Sequence, residues 1–241
     1  MPNWCFNCIT FFSDTKKGVD QLTIFHKALY DIIEGPTLLP NGFGSKWLGN
    51  VAHWHSLNPD EVKCRGDIQY LGELHLDSDG GFFEVCTETA WSPTEELWER
   101  VLEHYPDVSH VFVAEECGNG IWINTDVDSR FYANRFFIEF FDDYNDIGED
   151  AFKKPFPEDY LSEKHREATP LNFLHGMDGE RLYFKDFDSL QQYFLDLTGK
   201  RFYSAGKMED YLESAIEAYK QHYGIGDDNN IHFAFREYTQ C

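Results

Sequence analysis

The chain has 241 residues, 42% hydrophobic and 17% aromatic, enough apolar material for one good core or two small ones. Its 43 acidic and 20 basic residues give a net charge of −23, which argues against direct binding to nucleic acid or to an anionic membrane, since both need a basic surface. No apolar run approaches the ~18 residues of a membrane-spanning helix, and the start, MPNWCFNCITFF, lacks the basic region and cleavage site of a secretory signal, so a cytoplasmic protein is expected.

Residues 4–12 (WCFNCITFF) read as a first strand, ended by Ser13 and Asp14, which can cap the helix after it. Val19, Leu22, Phe25, Leu29, Ile32 and Ile33 share one helical face over 16–34, and Gly35-Pro36 stops that helix. Residues 35–66 form a long irregular insertion rich in Gly, Pro, Asn and aromatics, with a short helix expected to start at Asn58-Pro59. DIQYLGELHL (67–76) reads as a strand, and Asp77–Gly81 as a hairpin turn.

The stretch Phe82–Pro106 is the centre of the pattern: a strand that breaks sharply into a helix. Ser92, Pro93 and Glu95 have the spacing of a capping box with proline at the first helical position. Leu97, Trp98, Val101, Leu102 and Tyr105 then make one apolar face. Residues 108–116 read as another strand, Gly118–Gly120 as a second turn, and 130–141 as a strand.

The order to this point is strand, helix, strand, strand, helix, strand. That predicts an α+β fold: a ferredoxin-like βαββαβ antiparallel sheet with helices on one face over 1–142, with the insertion at 35–66. Residues 143–170 read as an acidic and polar connector, with a short helix after Pro157. Residues 171–241 read as a small α/β extension: a strand at 181–184, helices closed by Gly199 and Gly224, and a final strand at 230–237. The extension either forms its own lobe or completes the first sheet.

Six cysteines are spread along the chain and are expected as free thiols. Cys5 and Cys8 form a C-x-x-C, but in a strand they point to opposite faces, and no second pair is present. His53 and His55 could share a face and hold a metal, yet no third ligand is evident nearby. Asp126 and Asp128 could hold a divalent cation, although the spacing fails the EF-hand pattern. No metal, cofactor or catalytic residue is therefore assigned; the sequence has no Walker loop, G-x-G-x-x-G, G-x-S-x-G or H-E-x-x-H.

MPNWCFN at the start, GSKW at 44–47, TETAWSP at 87–93 and AEECGNG at 114–120 resemble the YubB-type ferredoxin-like domain family of phage, plasmid and mobile-element proteins, over roughly residues 1–140. The resemblance implies that fold and a mobile-element origin, and no reaction. It places Trp4, Trp47, Ala90, Trp91 and Glu115 on the family's motif positions, and Thr94 where the family tends to have a second proline.

Charge and resemblance together give two functional expectations. The first is a non-enzymatic, acidic interaction protein of a phage or mobile element. Glu139, Asp142, Asp143, Asp146, Glu149 and Asp150 would present a phosphate-like carboxylate surface to a basic, nucleic-acid-binding host protein, such as a defence protein. The alternative is a metal-dependent enzyme or ligand-binding accessory protein using the Trp/His-rich face, with Trp4, Trp47, Trp91 and Glu115 as its motif surface.

Overall fold

In the computed structural model of the chain, residues 3–142, 181–224 and 231–240 are described. The chain is mixed α+β with antiparallel sheets, and it divides into two compact units: Met1–Tyr132 with Thr239–Cys241, and Ala133–Tyr238.

The first unit begins with β1 (Trp4–Ser13) and α1 (Lys16–Glu34). Thr15, rather than Ser13 or Asp14, caps α1: its side chain accepts from the Gly18 amide at 3.1 Å. The insertion is less irregular than its composition suggests. A 3₁₀ turn at Gly44–Lys46 leads into α2 (Leu48–Trp54), while no helix forms at Asn58-Pro59. There Asn58 makes a local turn instead, its Oδ1 accepting the Asp60 amide at 3.1 Å.

The segment read as one strand over 67–76 is split into β2 (Gly66–Leu71) and the two-residue β3 (His75–Leu76). A register shift between Ile68 and Tyr70 and the close approach of Gly72 to Glu84 break it. Next come β4 (Gly81–Ala90), α3 (Glu95–Leu102), β5 (Ser109–Glu116) and β6 (Ile121–Asn124).

The strands form one six-stranded sheet in the order β2-β4-β1-β5-β6, with β3 also on β4; every pairing is antiparallel. Alternation sorts the side chains. Ile9 and Phe11 of β1, Phe83 and Val85 of β4, and Phe112 and Ala114 of β5 lie in one core with Leu22, Phe25 and Leu29 of α1 and Leu97, Trp98 and Val101 of α3. Phe11 stands 4.9–5.3 Å from the rings of Phe25, Phe83 and Trp98. Burying each such ring contributes about 1.5–3 kcal/mol. The opposite sheet face carries Phe6, Cys8, Phe82, Glu84, Cys86 and Glu88, all partly or largely exposed.

Two sequence expectations change here. Ser92 does not form the capping box. The N-cap of α3 is Thr94, with no side-chain cap bond, because Trp91 turns the chain at φ 72° and places Ser92 where its carbonyl accepts from the Thr89 hydroxyl at 2.8 Å. Nor are all the cysteines free. Cys8 and Cys86 are directly opposed on β1 and β4, with Cα atoms 4.2 Å apart, and they form a disulfide. Cys5 and Cys64 are buried free thiols, and burial pushes Cys5 up to about 12.

The second unit has its own sheet, β8-β7-β9, from β7 (Phe136–Asp142), β8 (Leu182–Phe184) and β9 (Ile231–Glu237). β7, read from the sequence as the end of the first domain, pairs with β8 and β9, so the first unit closes at Tyr132. α4 (Phe187–Thr198) and α5 (Ala205–Tyr223) supply the core: Leu190, Phe194, Met208, Leu212 and Tyr219 bury against Phe136, Ile138 and Phe235. Asp186 and Ser189 form a capping box, and Gly199 (φ 71°) and Gly224 (φ 66°) close the two helices in the left-handed region, as their positions predict.

Candidate functional site

The motif segments of the first unit converge at one end of its sheet. Register pairs Trp4 with Ala90, and the Trp91 amide donates to the Asn3 carbonyl at 2.8 Å. Asn7 is 3% exposed and its Nδ2 reaches Thr89 Oγ1 at 2.9 Å and Thr87 Oγ1 at 3.3 Å. The MPNWC-x-N and TETAWSP motifs are thus two sides of one strand pair, joined by a buried polar cluster. The Glu116 carboxylate accepts the amides of Gly118 and Asn119, both at 2.7 Å, and so builds the turn of the AEECGNG segment.

The fourth motif enters through the insertion. Asn50 is fully buried and organises the loop: its Oδ1 accepts from the Leu39 amide, and its Nδ2 donates to the carbonyls of Gly44 and Ser45 at 2.9 and 3.0 Å. Asn41 accepts from the Phe43 amide at 2.6 Å, and Ser45 donates to the Ile33 carbonyl at 2.7 Å. Trp47 then opens α2. A Cβ at Gly49 would fall 2.4 Å from the Trp47 indole, so the ring lies directly over a position without a side chain.

Between these segments lies a cleft of about 690 Å³, within the range of small-ligand sites. Phe43, Trp47 and Trp91 give it aromatic walls, and Lys63 and Arg65 give it two cations. Trp4 supports it from outside, meeting Phe43 edge-on at 6.3 Å between centroids. Neither Lys63 nor Arg65 has an acidic partner among the described residues, in a chain of net charge −23.

Two further features mark this cleft. Trp91 is 47% exposed and holds a left-handed φ of 72°, a conformation that costs a non-glycine residue about 1 kcal/mol or more. Thr94, also in the lining, is 5% exposed, and its buried hydroxyl has no hydrogen-bond partner among the described residues. Cys64 in the same wall is not poised as a nucleophile, because burial first and then Asp60 raise its pKa.

The other predicted sites separate. Glu115 lies half-buried on β5 opposite Trp122 and does not line the cleft. His53 is exposed, whereas His55 is 5% exposed: its Nδ1 donates to the Val51 carbonyl at 2.8 Å, and its Nε2 accepts from the Tyr105 hydroxyl at 3.1 Å. The two histidines therefore do not share a site. Asp126 is buried, and its Oδ2 accepts from the amides of Phe131 and Tyr132 at 2.6 and 2.7 Å, shaping a turn, while Asp128 is exposed. Of the six acidic interaction residues, Glu139 is partly buried and paired with Arg181 at 3.1 Å, and Asp142 ends β7 opposite Ile231. Asp143, Asp146, Glu149 and Asp150 lie outside the described residues, as do the connector and its expected helix.

The sequence pattern pointed to Trp47 and Trp91 but not to Phe43, Lys63, Arg65 and the orphaned Thr94 hydroxyl. The one signal for them was the alternating Lys63-Cys64-Arg65, a basic pair in an acidic chain that buries the middle residue.

No family model matches the chain, and no curated protein matches it. A crystal structure of an unknown protein from Galdieria sulphuraria aligns over 98% of this chain and 99% of that one, with a TM-score of 0.23 and 10% identity; a likeness so low carries no argument about fold or function.

Proposed function

We propose that the first unit is a non-enzymatic ligand-binding domain whose aromatic cleft takes a small planar anion, such as a nucleotide. The observation that carries this is the cleft itself: Phe43, Trp47 and Trp91 offer ring faces beside Lys63 and Arg65, two cations without an acidic partner among the described residues of a strongly acidic chain. Ring faces stack on planar groups, and a guanidinium or ammonium pairs with phosphate or carboxylate.

A nucleoside monophosphate tests it, with tryptophan emission as the readout. Quenching and stabilisation by the nucleotide, a weaker response to the nucleoside and none to inorganic phosphate support the reading. Binding that survives the double substitution Lys63→Gln and Arg65→Gln, or no binding of any planar anion at millimolar concentration, removes it. Saturation at 100 times Kd stabilises the folded unit by about 2.7 kcal/mol.

In fold we propose a ferredoxin-like unit, and with it membership of the YubB-type family. The order β2-β4-β1-β5, with α1 leading from β1 to β2 and α3 from β4 to β5, supports it, each helix linking strands separated by one other. β3 and β6 are additions at the sheet's edges.

A second reading, an acidic protein of a phage or mobile element that binds a basic host partner in the cytoplasm, is favoured by the charge of −23. Its test is a pull-down from host lysate comparing the native chain with one carrying amides at Asp142, Asp143, Asp146, Glu149 and Asp150. A basic nucleic-acid-binding protein lost from the variant supports it, and identical captures exclude these residues as the docking surface. No helix among the described residues is long and apolar enough to cross a membrane.

A further inference from the structure

We propose that Cys8, Cys86 and Glu84 form a redox-gated site for a zinc-class divalent cation, closed in the disulfide state and open when the disulfide is reduced. The site stands on the helix-free sheet face of the first unit and is independent of the aromatic cleft. Cys8 and Cys86 are directly opposed on β1 and β4, and Glu84 precedes Cys86 by two residues on the same strand and face. One ligand atom from each of the three lies within 4.8 Å of the others, and the side chains are half-buried, within reach of solvent.

The spacing suits tetrahedral coordination. A zinc ion with Zn–S of ~2.3 Å and Zn–O of ~2.1 Å separates sulfur from oxygen by about 3.6 Å. Glu84 Oε1 stands 3.7 Å from Cys86 Sγ. The other carboxylate oxygen is held from behind: Tyr132 Oη donates to Glu84 Oε2 at 3.3 Å and accepts from Thr10 Oγ1 at 2.9 Å. Such outer contacts fix a ligating carboxylate. A hollow of about 250 Å³, lined by Thr10, Tyr70, His75, Phe82, Glu84 and Tyr132, adjoins the carboxylate on the side away from the sulfurs, and because all three ligands are only half-buried, water from the open sheet face can serve as the fourth ligand.

The chemistry balances with a water-soluble phosphine as reductant. The phosphorus attacks one sulfur and breaks the Sγ–Sγ bond; water then supplies the oxygen of the phosphine oxide and the two protons that leave Cys8 and Cys86 as thiols. Two electrons pass from phosphorus to the sulfurs. Cation binding then displaces both protons. In the reverse direction, the two thiolates pass two electrons to a small-molecule disulfide, which takes two protons from water to become two thiols, and the cation is released as the Cys8–Cys86 bond closes.

The test titrates the full chain with cobalt(II), which gives a thiolate-to-metal charge-transfer band, in a background where the exposed Cys117 and the terminal Cys241 are serine. Expected is one equivalent per chain with that band after phosphine treatment and none before it, displacement by zinc, loss of the band in Cys8→Ser, and affinity at least tenfold weaker in Glu84→Gln. Native tryptophan emission checks folding throughout. If Cys8→Ser does not fold, Glu84→Gln and the oxidised-against-reduced comparison decide alone. No band in the reduced folded chain, a band in the oxidised chain, or an undiminished cobalt affinity in Glu84→Gln overturns the proposal.

Discussion

Asn7 tests whether the paired motifs are architecture. Its Nδ2 serves three acceptors, the Cys5 carbonyl at 3.0 Å, Thr89 Oγ1 at 2.9 Å and Thr87 Oγ1 at 3.3 Å, all in the core between β1 and β4. Thr87 is 1% exposed, and Asn7 is the partner of its hydroxyl. Asn7→Ala removes two net hydrogen bonds at about 1 kcal/mol each, and the stranded Thr87 hydroxyl adds about 1–3 kcal/mol. A total of about 3–5 kcal/mol is expected, a shift of about 1.5–2.5 M in the urea midpoint for a slope of ~2 kcal/mol/M. Removing the stranded hydroxyl as well, with Thr87→Val, should recover at least ~1 kcal/mol relative to the sum of the single costs.

The assay is specific to this unit, because all six tryptophans (4, 47, 54, 91, 98 and 122) lie in it. A loss under about 1 kcal/mol for Asn7→Ala, or single costs that simply add, would refute the structural reading of the motif.

Three further outcomes are expected. Gly49→Ala drives a Cβ into the Trp47 indole 2.4 Å away, so the ring must leave its place in the cleft wall; nucleotide quenching should fall at least tenfold while urea stability changes by less than about 1 kcal/mol, helix propensity offsetting lost packing. Trp91→Gly relieves a left-handed φ at an exposed ring and should leave stability within about 1 kcal/mol, whereas Trp98→Ala, 2% exposed, should cost about 3–5 kcal/mol; equal costs in a urea series would count against the strain. The third outcome concerns pH. His55 is buried and His110 half-buried, and the desolvation of each holds its imidazole below the ordinary pKa. With the folded pKa depressed, the unfolded chain binds more protons below about pH 6.5, so both histidines weaken the first unit as pH falls from about 7 toward 5. Asp67 and Glu95, whose carboxyls burial raises, act in the opposite sense. A His55→Gln variant should therefore have a flatter loss of stability over that range than the native chain, and an unchanged slope would refute the assignment.

Local chemistry alone determined much of this protein. Apolar spacing set α1 at 16–34 to the residue, glycine after the last apolar turn ended α4 and α5, and Asp-Ser-Asp-Gly-Gly made the turn before β4. These depend on periods of 2 and 3.6 and on the left-handed freedom of glycine, all of which act within a few residues. Failures came where a distant segment competes with a local preference. Ser92 has every local mark of an N-cap, yet the Trp91 amide is held by Asn3 and the Ser92 carbonyl by Thr89, which moves the cap to Thr94.

The strand ending at 142 was legible as a strand, but which sheet it joins depends on β8 and β9, 40 and more residues later in the chain. Cys8 was legible as a partner of nothing, because its partner lies 78 residues away and only the antiparallel register of β1 on β4 places the two Cα atoms together. Pairing of β4 with β1 and β2 likewise sets Trp91 in one cleft with Trp47, Lys63 and Arg65. Residue types set the elements, and pairing across long sequence separations, stabilised by the shared core, decided the cleft and the cysteine site.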